Sequence, residues 1–208
     1  TWDIRGSLTS GSTLFRNSFS TDLREKDVVF GGAEKLKAAI DEVMRKYAPK
    51  LIFIYATCIV GVIGDDVEAV CREAERTYHN RVIPVKAPGF SGTKSQGYKL
   101  ACEAILRLIA PHAGQPKTQG VNILGDFNLS GEIWIIENYL RQIGIPVVAT
   151  VTGDSCYDSL IRAPSARLNV VQCAGSSLYL AQRMEETMGI PFLRVSFFGV
   201  EDTSRSLM

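Results

Sequence analysis

Histidine is scarce in this chain: two residues in 208, His79 and His112. Both fall in loop-like stretches away from the predicted strand ends, so nucleophilic chemistry that leans on an imidazole base has no candidate, and both are expected to be exposed. Charge of one sign is lacking too. Lys+Arg 23 against Asp+Glu 22 leaves a formal net charge of +1 with no basic stripe, and a nucleic-acid partner would need one. Neither a G-x-G-x-x-G fingerprint nor a G-x-x-x-x-G-K-[ST] loop occurs, so nucleotide binding has only a fold class to speak for it. No apolar run approaches the roughly 20 residues of a membrane helix, and Thr1-Trp2-Asp3 does not open a signal peptide. The expected compartment is the cytoplasm. Five cysteines, an odd number with no C-x-x-C pair, argue for free thiols or metal ligands over a disulfide framework. A start without Met in a Gly/Ser-rich stretch suggests a piece of something longer.

What is present is ample apolar material, 46% of residues, arranged in alternating patterns. Residues 1–22 read as a polar, turn-rich N-terminal arm. Ala33 to Tyr47 carries Leu36, Ile40, Val43 and Met44 at helical spacing, and Leu51 to Thr57 is an apolar strand. Asp65 or Asp66 can cap a helix whose stripe is Val67, Val70, Cys71, Ala74 and Tyr78. A strand at Arg81 to Val85 and a helix at Tyr98 to Ile109 follow. The stretch from Ala110 to Gly120, rich in Pro, Gly and polar residues, reads as a linker. Beyond it the pattern predicts strands at Val121–Leu124, Pro146–Val151, Leu168–Gln172 and Phe192–Phe198, with helices at Ser130–Ile143, near Ser159–Ala166 and at Ser176–Met188. Strands alternating with helices predict α/β architecture: two Rossmann-like domains with parallel sheets flanked by helices, over residues 23–112 and 113–198, and a connecting tail at 199–208. Ligand loops then lie at the carboxyl ends of strands: 58–64, 88–97, 125–128, 152–157 and 173–177.

Two cysteines occupy such ends. Cys58 follows the strand Leu51 to Thr57 and starts a glycine-rich turn into a helix; Cys173 follows Leu168 to Gln172 and leads through Ala174-Gly175 into another. A helix amino terminus favours thiolate, which suits a metal ligand, but a lone cysteine is equally read as a core thiol. Cys71 and Cys102 sit on the apolar stripes of helices and read as packing residues. Cys156, in a strand-end loop, has no assigned role. Lys86 and Lys94 flank Pro88-Gly89-Phe90-Ser91-Gly92, which could bind an anion or simply be solvated.

Taken in order, Trp2-Asp3-Ile4-Arg5-Gly6, Phe19-Ser20-Thr21-Asp22-Leu23, Asp27-Val28-Val29-Phe30-Gly31-Gly32, the run Cys58 to Asp66, Ile83-Pro84-Val85 with Pro88-Gly89-Phe90, and Phe197 to Thr203 resemble the nitrogenase component 1 superfamily along essentially the whole chain. Within it the likeness is strongest to the branch that serves as scaffold for maturing the iron-molybdenum cofactor. The resemblance implies that Cys58 is one thiolate of a permanent four-iron cluster shared with a related second scaffold subunit in a heterotetramer. It implies that Cys173 holds the terminal iron of the cofactor precursor, that Arg5 and Lys94 lie near that anionic cluster or its route, and that an iron protein docks transiently.

Departures from the family pattern matter as much. The family's two further cluster cysteines upstream of Trp2 and its third domain after Thr203 are missing, so this piece alone is expected to hold no cluster and to catalyse nothing. Where the catalytic alpha chain carries a histidine pair, this chain reads Ser95-Gln96-Gly97-Tyr98-Lys99. Ala174-Gly175 after Cys173 suggests a roomier site. The alternatives are a catalytic alpha chain or nitrogenase-like oxidoreductase subunit, and, further off, a small-molecule-binding α/β module with structural cysteines.

Overall fold

A near-continuous apolar run such as Leu51-Ile52-Phe53-Ile54-Tyr55-Ala56 suits a parallel strand, and these residues form one, half-buried from Leu51 to Ile54, exposed at Tyr55 and buried at Ala56. A computed structural model describes residues 18–128 and 131–208; Arg5 and the motif around Trp2 lie outside the described residues. The contacts divide the described chain into two units, Phe19–Ala104 and Ile105–Met208.

In the first unit β1 (Leu51–Ala56) pairs in parallel with β2 (Arg81–Lys86), Leu51 opposite Arg81 and Ala56 opposite Lys86. Four helices belong to it among the described residues: α1 (Glu25–Phe30), α2 (Ala33–Tyr47), α3 (Cys58–Ile63) and α4 (Val67–Tyr78). The apolar stripes of α2 and α4 meet the sheet through Ile40, Met44, Val70, Cys71, Ala74 and Val82, one buried cluster. Asp66 caps α4, its carboxylate accepting the Ala69 N–H at 2.9 Å. Asp65 does something else: it accepts the Gly32 N–H at 2.9 Å and ties the start of α2 to the end of α3. A helix α5 (Lys94–Ile109) begins four positions before the expected Tyr98.

The second unit is a four-stranded parallel sheet in the order β4-β3-β5-β6, built from β3 (Val121–Asp126), β4 (Val147–Thr152), β5 (Leu168–Val171) and β6 (Phe192–Arg194). β3 is buried along its whole length. Its Val121 and Ile123 pack with Val170 of β5 and with Ile136 and Leu140 of α6 (Glu132–Gln142). Short α7 (Tyr157–Leu160), long α8 (Ala174–Met188) and α9 (Gly199–Leu207) complete the unit among the described residues. Because β4 lies on one side of β3 and β5 on the other, connections leave the neighbouring ends of β3 and β5 in opposite directions, which places a topological switch point at their carboxyl ends. Open α/β sheets bind ligands at such a switch point.

Parallel α/β architecture is thus present in both units, while several boundaries differ from expectation. The helix expected near 159–166 breaks into α7 and a 3₁₀ turn at Ala163–Ser165, since Pro164 has no N–H to donate to the carbonyl four residues back. β6 stops at Arg194, not Phe198: the Ser196 hydroxyl donates to Asp202 at 2.8 Å and the Ser196 carbonyl accepts from the Ser206 hydroxyl at 2.7 Å, turning the chain into α9. Nor is the stretch before β3 a free linker. Gln115 donates to the Ile161 carbonyl, Lys117 to that of Pro164, and Thr118 N–H to that of Ser165, at 3.0, 2.8 and 2.8 Å. These bonds fasten residues 115–118 to the second unit, and the contacts divide the described chain between Ala104 and Ile105, inside α5.

Candidate functional site

Cys173 lies one residue beyond β5, after Gln172, and is itself the N-cap of α8, in extended backbone, so it stands on a helix end at the switch point and not in the loop expected to precede Ser176. Its thiol is half-buried. The Ser176 hydroxyl holds its pKa below the ordinary thiol value, with the Ser176 and Gly175 N–H groups acting the same way against partial burial. Backbone shape makes the site possible. Gly125 at the end of β3 has φ +86°, and a Cβ built there would lie 2.9 Å from the Cys173 carbonyl oxygen and 3.0 Å from its nitrogen. Only glycine lets the two strand ends come this close.

The next residue, Asp126, is 4% exposed, and its carboxyl oxygen accepts the Asn128 N–H at 2.7 Å. Burial lifts its pKa to about 6, the Asn128 bond opposing and Glu132, by charge and hydrogen bond, assisting. An unfolded Asp releases its proton near 4. Between about pH 4 and pH 6 the native state therefore binds the extra proton, and stability falls as pH rises through that window. Asp126→Asn is expected to flatten this slope and to gain about 2 kcal/mol at pH 7 relative to the parent, measured by urea melts at pH 4.5 and 7. An unchanged slope would show that another group carries it.

The first unit has its own strand-end thiol. Cys58 is the first residue of α3, directly after Thr57, and exposed. Its sulfur accepts the Gly89 N–H at 3.1 Å, so the turn after β2 is seated against the end of β1. Gly61 of α3 meets the same turn: a Cβ there would be 2.9 Å from Pro88 Cβ. Exposed Ile59, Val62 and Phe90 surround this end of the sheet with apolar surface. Among the described residues no three of His, Cys, Asp and Glu gather closely enough to hold a metal ion. Each of these two strand ends therefore offers one sulfur with backbone N–H groups directed at it. That donor chemistry fits an iron-sulfur cluster bound at its edge, the remaining ligands coming from elsewhere.

A family profile described as nitrogenase component 1 type oxidoreductase matches residues 1–208. The chain belongs to the nitrogenase component 1 family. It is 62% identical over 208 residues to the nitrogenase iron-molybdenum cofactor biosynthesis protein NifE of Clostridium pasteurianum, covering all of this chain and 46% of that protein. To NifE of Methanosarcina barkeri it is 49% identical over 218 residues, covering 47% of that protein. The chain thus spans about half the length of these relatives. Among solved structures, nitrogenase Cp1 at pH 6.5 superposes with TM-score 0.86 at 38% identity, over 91% of this chain and 38% of that one.

The remaining candidates of this nitrogenase component 1 chain are placed as follows. Lys94 is the exposed first residue of α5, its ammonium 5.6 Å from the centre of the Tyr98 ring. Arg5 lies outside the described residues. Lys86 pairs with Glu68 at 3.3 Å. His79 is exposed as expected, while His112 is half-buried. Cys156 is exposed and caps α7, its thiol donating to the Ser159 hydroxyl at 3.3 Å. Cys71 and Cys102 are 1% and 5% exposed, and burial pushes the Cys71 thiol up to about 12. Cys71→Ala or Cys102→Ala is expected to cost about 1 kcal/mol for a small buried group and to leave metal content unchanged. Alkylation of the native protein should label Cys58 and Cys156 quickly and Cys71 last; rapid labelling of Cys71 would refute its burial. Gly125 and Asp126 were not singled out in the sequence, although the loop 125–128 was. An acidic residue one step after a strand-end glycine, at the switch between strands, was the available signal.

Proposed function

We propose that this chain is part of a scaffold subunit on which the nitrogenase iron-molybdenum cofactor is matured. Cys173 grips the precursor, which is cargo, by its terminal iron. Cys58 contributes one thiolate to a permanent four-iron cluster shared with a related, NifN-type subunit in a cytoplasmic heterotetramer, and a nitrogenase iron protein docks transiently. When bound, the clusters would supply all of the redox and metal chemistry. The chain's own residues hold and present them. The Ser176 hydroxyl with the N–H groups of Ser176 and Gly175 favours the thiolate form of Cys173, Gly125 admits the approach of the two strand ends, and Ala174-Gly175 leaves little side-chain bulk beside the sulfur.

The observation that carries this reading is the single thiolate-prone cysteine at the sheet's switch point. One sulfur is enough to hold a cluster and few enough to let it go. Ser95-Gln96 in place of the catalytic histidine pair favours scaffold over reductase. The test is iron, sulfide and molybdenum analysis of the full-length protein purified anaerobically with its partner, together with an acetylene-reduction assay. Clusters present without reduction support the proposal; an iron-free complex, or steady acetylene turnover, overturns it.

A further inference from the structure

The helix that begins with Cys58 has little of its own to hold it in place. α3 is six residues long, fewer than two turns, and helices of that length do not persist in water by themselves. All six residues stay at least partly exposed, with Val60 packed against the core of the unit. Thr57 stands at the N-cap without a side-chain bond. The direction of α3, and with it the place of the Cys58 sulfur, is therefore set largely by contacts at the two ends. At the start, the sulfur meets the Gly89 N–H at 3.1 Å. At the other end, Gly64 at φ +74° closes the helix, and Asp65 follows.

A turn 33 positions away in the chain is shaped around the Asp65 carboxylate. It accepts the Gly32 N–H at 2.9 Å. Gly31 lies at φ +92°, and a Cβ built on it would be 3.2 Å from Asp65 Oδ1; one built on Gly32 would be 2.9 Å from Asp65 Oδ2 and 2.9 Å from Leu23 Cδ2. Two glycines in succession are what lets the carboxylate come this near. Gly32 is also the N-cap of the 15-residue α2, so the negative charge faces the positive end of a helix dipole, and α1 packs against α3 beside it. The neighbouring Asp66 is spent on capping α4. Asp65 is left to join α3 to the α1–α2 turn.

We infer that Asp65 is a positioning residue for Cys58: its carboxylate, seated on the Gly31-Gly32 turn, fixes the far end of α3 and so keeps the Cys58 sulfur at the Gly89 N–H. A hydrogen bond to an ionised acceptor is roughly twice as strong as a neutral one, which suits an anchor. The lever is short and stiff. A six-residue helix is about 9 Å long, so a tilt of about 10° shifts one end by about 1.5 Å against the other, enough to break a contact of hydrogen-bond length. The consequence for metal binding rests on the reading of Cys58 as a cluster ligand; the geometry does not.

Hydrogen exchange on the full-length chain with its partner, freed of iron, tests the geometry. In Asp65→Ala the Gly89 amide is expected to exchange about 10-fold faster, while Ile83 and Val85 of β2 exchange as in the parent. Asp65→Asn keeps an acceptor oxygen and should restore the parent rate at Gly89. Gly32→Ala crowds the carboxylate from the other side, should reproduce the effect of Asp65→Ala, and decides the matter if that variant does not fold. Unchanged Gly89 exchange overturns the inference, and so does equal acceleration across β1 and β2, which is what a merely stabilising bond would give. Iron counting on Cys58→Ala beside it tests the ligand reading separately. Iron of the permanent cluster kept there removes Cys58 from that cluster without touching the Asp65 result; iron lost there, with Gly89 exchange unmoved in Asp65→Ala, removes Asp65 instead.

Discussion

Cys173→Ala in the full-length protein with its partner is expected to abolish retention of the cofactor precursor while leaving the iron of the permanent cluster in place. No other cysteine shares the Cys173 strand end, and no cluster of three ligating side chains among the described residues could take over. The fold itself should hardly notice. The side chain is half-buried at a helix N-cap, and the substitution removes a single sulfur there. Iron and molybdenum counting on parent and variant complexes decides the matter. Unchanged precursor content after the substitution would remove Cys173 from the site, and loss of all iron together with loss of the complex would point to a structural role.

The second large effect is expected at Gly125. Gly125→Ala forces a side chain onto a residue at φ +86°, with the new Cβ 2.9 Å from one backbone atom of Cys173, 3.0 Å from another and 3.0 Å from the Ser177 hydroxyl oxygen. Backbone of two packed strand ends cannot swing aside as a lysine tip could. The left-handed conformation and the overpacking together should cost about 2–4 kcal/mol. For a unit of this size that lowers Tm by roughly 10 °C or more, read by calorimetry. Gly175→Ala is the control: its Cβ would find only the Cys173 sulfur, at 4.0 Å, and should change stability by less than about 1 kcal/mol. Equal effects from the two substitutions would mean that the close approach at Gly125 is not what constrains the site.

The elements most legible in the sequence were those whose pattern and packing agree. Leu51 to Ala56 and the stripe Val67, Val70, Cys71, Ala74 are strand and buried helix face as their periodicity requires. Legibility failed where long-range hydrogen bonds override composition. Residues 115–118 look like a linker because Gly, Gln, Pro and Lys lack periodicity, yet their partners are carbonyls of residues 161–165, more than 40 positions away. Helix starts were set late for the same kind of reason: Lys94 and Ala174 begin α5 and α8 through polar and small residues that carry no apolar stripe. At the site, the two strand-end cysteines could be named, since a position after a strand and before a helix is a local pattern. Asp126 could not, because its displaced pKa depends on burial and on Glu132, neither of which a single sequence displays.

The donors around the Cys173 sulfur bear on how a metal competes with a proton for that atom. Binding iron through a thiol means displacing hydrogen ion, so uptake at an ordinary cysteine weakens as the solution is acidified through its pKa. At Cys173 the hydroxyl and N–H groups loosen the proton relative to an ordinary cysteine, so iron meets weaker competition there. The hold on cargo should therefore persist to lower pH than it would at a cysteine without those donors.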